Sequence, residues 1–294
     1  MFDSTPASHR TLARPVSIEG LGIHSGAPVL AALLPSDRVG LIFARTDLPG
    51  SPEVAASLEN IAGTTHATTL RQGGASVSTP EHLLAALWSL GITACRIELS
   101  GPEVPILDGS AAPWRDLILG AGNAALPGER PTLALTAPIW WEGEGATVLG
   151  LPFPRFRLSV AVDFGAPHAG AQSVDLEVTE DSFARGLAPA RTFALEAWLP
   201  RLRAAGLIQG GSTENAVLIA DSGPSSPWRL PDELARHKAL DAIGDLALLA
   251  APTGARFAGH IVAIRAGHGA HAAWMRTAVS VIPTGLTVSP EQPV

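Results

Sequence analysis

The chain has 294 residues, 46% of them hydrophobic, and a formal net charge of −7. That length allows one large or two ordinary domains around a sizeable core, and the acidic balance argues against a general nucleic-acid or membrane-surface binder. No apolar run reaches the ~18 residues of a membrane helix, MFDSTPASHRTLARPV has no apolar h-region, and the single cysteine, Cys95, excludes an intramolecular disulfide; a cytoplasmic protein without a secretory signal or membrane segment is expected.

Residues 11–47 read as short alternating strands broken by Gly and Pro. TPEHLLAALWSLGI (79–92) reads as a helix, with Thr79 as N-cap, Pro80 in the first turn and Gly91 at the end. CRIELS (95–100) reads as a strand, and SAAPWRDLILGAG (110–122) as a helix capped by Ser110. AGNAALPGERP (121–131) is rich in Gly, Pro and polar residues and reads as a domain boundary, giving domains 1–126 and 127–294. Strands resume to about residue 165, and GAPHAGAQS (165–173) reads as a loop. LEAWLPRLRAAG (195–206) reads as a helix kinked at Pro200, PDELARHKALDAIGDLALLAA (231–251) as the longest helix and GHGAHAAWMRTAVSV (267–281) as the last. The tail from Pro283 reads as loose. Strands with interspersed helices in both halves favour an α/β or α+β fold; no sequence repeat between the halves is visible.

His237, Asp241 and Asp245 are four residues apart, which puts all three on one helix face. A His and a carboxylate one turn apart can bind one metal, with the third group orienting a ligand or a catalytic residue. A capped, salt-bridged surface helix would show the same spacing, but the apolar Leu234, Ala235, Leu240, Ile243, Leu246 and Leu248 argue that part of this face is buried. His82 would complete a three-ligand catalytic metal site with an open position for water. Glu81, beside it, is suited to accept the water proton, or else is an acid placed on the helix dipole. The HExxH zinc motif is absent, which disfavours that class of peptidase.

The chain has 19 Arg and one Lys, and the Lys is Lys238, directly after His237. A cation there can stabilise a developing oxyanion, although a lone surface lysine is the common alternative. His24 lies in the Gly-rich GLGIHSG, His66 in TTHATTL, and His268 and His271 near a helix start; each alone is more often structural or solvated than catalytic. Contact between Asp245 and His268 would make a general acid. Asp108-Gly109-Ser110 reads as a structural turn, and Ser212 to Asn215 as a weak candidate for a site lining.

Taken together, GLGIHSG, STPEHLLAALWSLGI, PEVPILDGSAAPW, ARTF, GLIQGGSTENAVLI, DELARHKALDAIGD and the GH of RAGHGAH resemble one family, the bacterial UDP-3-O-acyl-N-acetylglucosamine deacetylases of lipid A synthesis, across roughly residues 15–275. The resemblance implies an α+β protein of two α/β sandwich domains of related topology, with helices packed between two sheets and the active site at their junction. It implies Zn2+ on His82, His237 and Asp241 (Fe2+ also suits that donor set), Glu81 as general base, and His268 as general acid supported by Asp245. Thr192 and Lys238 would stabilise the oxyanion. An insert over 187–214 would hold the acyl chain, with Phe193, Leu195, Leu199, Leu202, Leu207 and Ile208 as wall residues and His24 as a further substrate contact.

The sequence departs from that family in four places. LPFPRF (151–156) lacks an expected nucleotide-binding lysine, for which Arg155 is the candidate substitute; GHGAHAAW differs after its histidine; Pro200 interrupts the insert helix; and 221–231 is short. A monomer acting on an acylated UDP-sugar, with no nucleic-acid partner, is expected. The alternatives are a zinc hydrolase of another acetylated sugar or amide, and a non-catalytic sugar-nucleotide or lipid binder.

Overall fold

The computed structural model describes residues 8–281 and the strand at 286–289. Residues 1–7, part of the stretch read for a secretory signal, lie outside the described residues, as do 282–285 and 290–294 of the tail. Six α-helices are described: α1 (Glu81–Ser89), α2 (Ala112–Ala121), α3 (Glu180–Gly186), α4 (Leu199–Ala204), α5 (Glu233–Ala250) and α6 (His268–Ser280).

Two seven-stranded sheets repeat one plan. In the first, the strand Ala94–Leu99 pairs antiparallel with Pro28–Pro35 of a hairpin, parallel with Gly40–Arg45 and parallel with Ser8–Leu12. In the second, Arg256–Ile264 pairs antiparallel with Ala146–Leu151 of a hairpin, parallel with Phe156–Val162 and parallel with Thr132–Leu135. Each plan ends with a strand after a helix: Asn123–Glu129 follows α2 and Leu286–Ser289 follows α6. The protein is thus α+β with two sheets of matching topology. α1 and α5 occupy equivalent places, each leading into the central strand of its own sheet.

Both sheets turn one face to these helices. Phe156–Val162 alternates between buried and half-buried residues along its whole length, and Ala146–Leu151 does the same, the pattern of a sheet with one face on the core. α5 is buried almost all round, at fifteen of its eighteen residues, as a helix between two layers must be. α1 is buried from Glu81 through Leu87. Gly244 lets the two helices meet, because a Cβ there would lie 2.1 Å from the carbonyl oxygen of Glu81.

Four local expectations change. Residues 123–129 of the Gly/Pro-rich break form an edge strand, antiparallel to Ser8–Leu12. Thr79 does not cap α1; it sits at φ 56° and its hydroxyl donates to Glu103 at 3.0 Å, while Pro80 holds the cap position. Pro200 starts α4 rather than kinking it, as its missing N–H permits in a first turn. Residues 286–289 of the tail form a strand antiparallel to Thr132–Leu135. No helix among the described residues is long and apolar enough to cross a membrane.

Candidate active site

The start of α1 faces the middle of α5, and their polar residues converge. His82 Nε2 and His237 Nε2 each lie 3.5 Å from Asp241 Oδ1, and the two imidazoles meet edge to face with centroids 5.0 Å apart. All three residues are buried. His237 Nδ1 lies 3.1 Å from the Ala190 carbonyl. That oxygen can only accept, so Nδ1 carries the proton and the Nε2 lone pair faces Asp241. Burial lowers the pKa of His237 to about 4, which keeps it neutral.

Two acceptors, the His237 lone pair and Asp241 Oδ1, therefore face each other across 3.5 Å. Oδ1 is buried and has no hydrogen-bond partner, a costly arrangement unless a cation lies between them. The spacing matches the edge of about 3.4 Å expected of a tetrahedron with bonds of about 2.1 Å. The donor set and the orphaned oxygen both fit a divalent metal. The other oxygen of Asp241 accepts from Lys238 Nζ at 2.7 Å. Burial opposes ionisation of Asp241, but the Lys238 ammonium outweighs it and holds the carboxyl well below its usual range.

Asp245, one turn further along α5, organises a second group. His268 Nδ1 and His271 Nδ1 each lie 2.8 Å from its Oδ2, and the Thr68 hydroxyl donates to Oδ1 at 2.7 Å. Separations of 2.8 Å are hydrogen bonds to a carboxylate rather than edges of a coordination sphere. The Asp245 bond fixes the His268 tautomer and turns Nε2 into the site, 3.7 Å from Glu81 Oε1 and 3.9 Å from Asp241 Oδ2. Burial works against the imidazolium of His268, but Asp245 and then Glu81 overcome it and raise the pKa to about 9. Burial raises Glu81 to about 7, against the pull of His268. Its Oε2 is buried without a hydrogen-bond partner. The site thus holds a carboxylate moved up toward neutral pH and an imidazole held protonated through it, a base and an acid set by their surroundings.

These groups open into a cavity of about 1200 Å³ at the junction of the two halves, above the ~300–1,000 Å³ usual for small-ligand sites. The first half contributes Ile23, His24, Thr64 to His66, Thr79, Glu81, His82 and Ile106; the second contributes Thr192, Phe193, His237, Lys238, Asp241 and His268 among others. One wall is apolar: Phe164, Phe193 and Trp198 stack edge to face or tilted, with Leu199, Leu202 and Ile208 beside them. Arg201, Arg203, Arg265 and Lys238 give the cavity positive charge in an acidic protein.

Most of the residues singled out by sequence line this cavity; Asp245 stands behind His268, and three of the expected substrate contacts lie elsewhere. Arg155 pairs with Glu177 at 2.6 Å, is half exposed and lies outside the lining; its position, just before the strand Phe156–Val162 and beside Glu177 of the neighbouring strand, directs it to that partner. Leu195 is buried in the main core. Leu207 lies between Gly206 (φ 73°) and Ile208 (φ 55°), and this turn leaves Ile208, not Leu207, on the wall.

Sequence reasoning missed the carboxylate that braces the entrance to α1. Glu103 is buried and accepts from the backbone of His24 and Ser25 at 3.0 and 2.8 Å and from the Thr79 hydroxyl. It also missed the buried Arg191–Glu233 pair, with Nε–Oε1 at 2.8 Å, at the first turn of α5. Both acids stood inside quoted segments, but no local spacing marks a partner tens of residues away. Thr68 and the role of His271 were missed for the same reason.

A family model described as LpxC, UDP-3-O-acyl N-acetylglycosamine deacetylase, matches residues 9–280. A protein from Solibacter usitatus, named UDP-3-O-acyl-N-acetylglucosamine deacetylase, is 44% identical over 266 residues, 90% of this chain and 88% of its own. Proteins of the same name from Thermosynechococcus vestitus and Anaeromyxobacter dehalogenans are 44% and 41% identical, covering 90% and 89% of this chain and 91% and 84% of theirs.

Proposed function

The chain belongs to the LpxC family of UDP-3-O-acyl N-acetylglycosamine deacetylases, and we propose from this premise that it hydrolyses the N-acetyl group of UDP-3-O-(3-hydroxyacyl)-N-acetylglucosamine. The products are acetate and the free sugar amine, the committed step of lipid A synthesis. The observation that carries the reading is the orphaned Asp241 Oδ1 facing two imidazole nitrogens, beside a base and an acid of matched protonation.

His82, His237 and Asp241 would hold one Zn2+. When bound, the ion lowers the pKa of water toward ~7 and polarises the acetamide carbonyl. Glu81 takes the proton from the attacking water; its buried, unpartnered Oε2 is available for this. Lys238 and Thr192 line the cavity beside the ligands and stabilise negative charge on the carbonyl oxygen. His268, oriented by Asp245, gives its Nε2 proton to the departing amine. In this reading Phe193, Leu199, Leu202 and Ile208, with Phe164 and Trp198, take the acyl chain, Arg201, Arg203 and Arg265 supply cations for the diphosphate, and His24 contacts the substrate; the support is that all of them line the cavity. The division at residues 126/127 then separates a half carrying Glu81–His82 from a half carrying α5 and the acyl wall.

Glu81→Gln tests the assignment. The variant should bind one metal per chain and lose most turnover, on the order of 10²–10⁴-fold. Near-normal turnover would remove Glu81 as the base.

A further inference from the structure

Thr79 stands two residues before Glu81 and three before His82, at φ 56°. A β-branched residue keeps a positive φ only where its surroundings fix it there. The Thr79 N–H donates to the Thr68 carbonyl at 2.9 Å, and the Thr79 hydroxyl donates to Glu103 Oε1 at 3.0 Å. Thr68 in turn donates its hydroxyl to Asp245, the carboxylate behind His268, at 2.7 Å. Glu103 is itself pinned. Ser78, next to Thr79, donates from its N–H to the Pro102 carbonyl at 2.9 Å, and its own carbonyl accepts from the Val104 N–H at 3.0 Å. The Glu103 carboxylate also accepts from the backbone of His24 and Ser25 at 3.0 and 2.8 Å. Thr68, Thr79 and Glu103 are all buried. Beyond Thr79 the chain has little play: the ring of Pro80 fixes its φ, and the Pro80 carbonyl accepts from the Leu84 N–H in the first turn of α1. The direction in which α1 leaves, with Glu81 and His82 at its start, is therefore set at Thr79.

We propose that the Thr79–Glu103 bond is a latch that holds a strained backbone and thereby aims the Glu81 carboxylate and the His82 imidazole. Thr79 and Glu103 are positioning residues: they act through α1, not on the substrate. The part that concerns Glu81 rests on the deacetylase reading above; the part that concerns His82 rests on its place beside His237 and Asp241. Without the hydroxyl bond, a β-branched residue at this position relaxes toward negative φ and turns the start of α1 with it. A misplacement of about 1 Å at a reaction centre costs ~10²-fold in rate, and loss of a group that supports a metal ligand costs about 10–100-fold in metal affinity. Glycine occupies φ 56° without strain, so the latch is needed because residue 79 carries a side chain.

The test takes Thr79→Ser, which keeps the hydroxyl, Thr79→Val, which keeps the branching without it, and Thr79→Gly, which removes the hydroxyl and the strain together. Zinc affinity is measured by competition with a chromophoric chelator. kcat and KM are measured by acetate release from UDP-3-O-(3-hydroxyacyl)-N-acetylglucosamine on zinc-saturated protein. Thr79→Ser should stay within about threefold of the wild type in both readings. Thr79→Val should lose about 10–100-fold in zinc affinity and about tenfold or more in kcat, with KM within about twofold. Thr79→Gly should fall between them. A packing role gives the reverse order for the last two, because valine fills the space of threonine and glycine empties it. Thr79→Ala, which also meets strain at positive φ, takes the place of Thr79→Val if that variant does not fold, and it too should lie below Thr79→Gly. Wild-type zinc affinity and kcat in Thr79→Val, or larger losses in Thr79→Gly than in Thr79→Val or Thr79→Ala, would overturn the latch and leave the deacetylase reading standing. If the wild type releases no acetate while zinc affinity still falls in the order Ser, Gly, Val, the deacetylase reading fails and the latch stands.

Discussion

The Cα of Gly244 on α5 lies against the carbonyl of Glu81 on α1, so closely that an added methyl would sit 2.1 Å from that oxygen and 2.8 Å from the Glu81 Cα. The two helices carry every candidate metal ligand between them, and this contact sets their separation.

Gly244→Ala should therefore act on the site although residue 244 touches no ligand. The methyl must push backbone, not a flexible side chain, so about 1–3 kcal/mol of overpacking is expected. The displacement moves His82 away from His237 and Asp241. Metal content after dialysis against a weak chelator should fall and turnover with it. Full metal retention at wild-type turnover would show that the ligands tolerate the wider spacing.

Glu233 and Arg191 form a buried pair, with side chains 1% and 9% exposed. Removing one partner leaves the other charge uncompensated, so Glu233→Ala should cost about 3–5 kcal/mol in urea unfolding. Burial alone would raise the Glu233 pKa, but Arg191 and the backbone N–H groups of Arg191 and Arg229 bring it below the ordinary value. A depressed folded pKa means that this contribution is fully present above the unfolded value of ~4.3 and is lost as pH falls through the folded one. The variant's deficit should be constant at neutral pH and shrink only below about pH 4. A deficit independent of pH down to acid unfolding would contradict the assignment.

Turnover should follow a bell-shaped pH profile. Glu81 must be ionised to act as base, so activity falls as pH drops through its value of about 7. His268 must be protonated to act as acid, so activity falls as pH rises through about 9. A bound cation lowers both values, and because the two groups are 3.7 Å apart the limbs belong to the pair. Asp245→Asn removes the charge that supports the His268 imidazolium, and it should move the alkaline limb to lower pH. An unmoved alkaline limb in that variant would mean that another group sets it.

The chemistry of α5 was legible because it is local. His237, Asp241 and Asp245 share a face through their four-residue spacing, and the two helices that carry the site were placed to within a few residues. The duplicated plan of the two sheets was not legible in the residues themselves, which show no repeat, and was expected only through the family resemblance. A strand facing helices asks only that one face be buried, which Phe156–Val162 meets by alternation and Gly40–Arg45 with all but one residue buried and an unrelated sequence. Contacts that brace the site across long separations were equally silent: Thr68 on Asp245, Glu103 on Thr79, Gly109 on Thr192. Thr79 shows why a local rule failed there. Its hydroxyl could have capped α1, but a buried carboxylate with no other side-chain donor competed for it and took it.

The most direct measurement is acetate release from UDP-3-O-(3-hydroxyacyl)-N-acetylglucosamine before chelation, after it, and after one equivalent of Zn2+ is returned. Loss on chelation and recovery at one zinc per chain is the expected result, with no recovery in Asp241→Ala. Turnover that survives complete removal of metal would contradict the central claim that His82, His237 and Asp241 work by holding an ion.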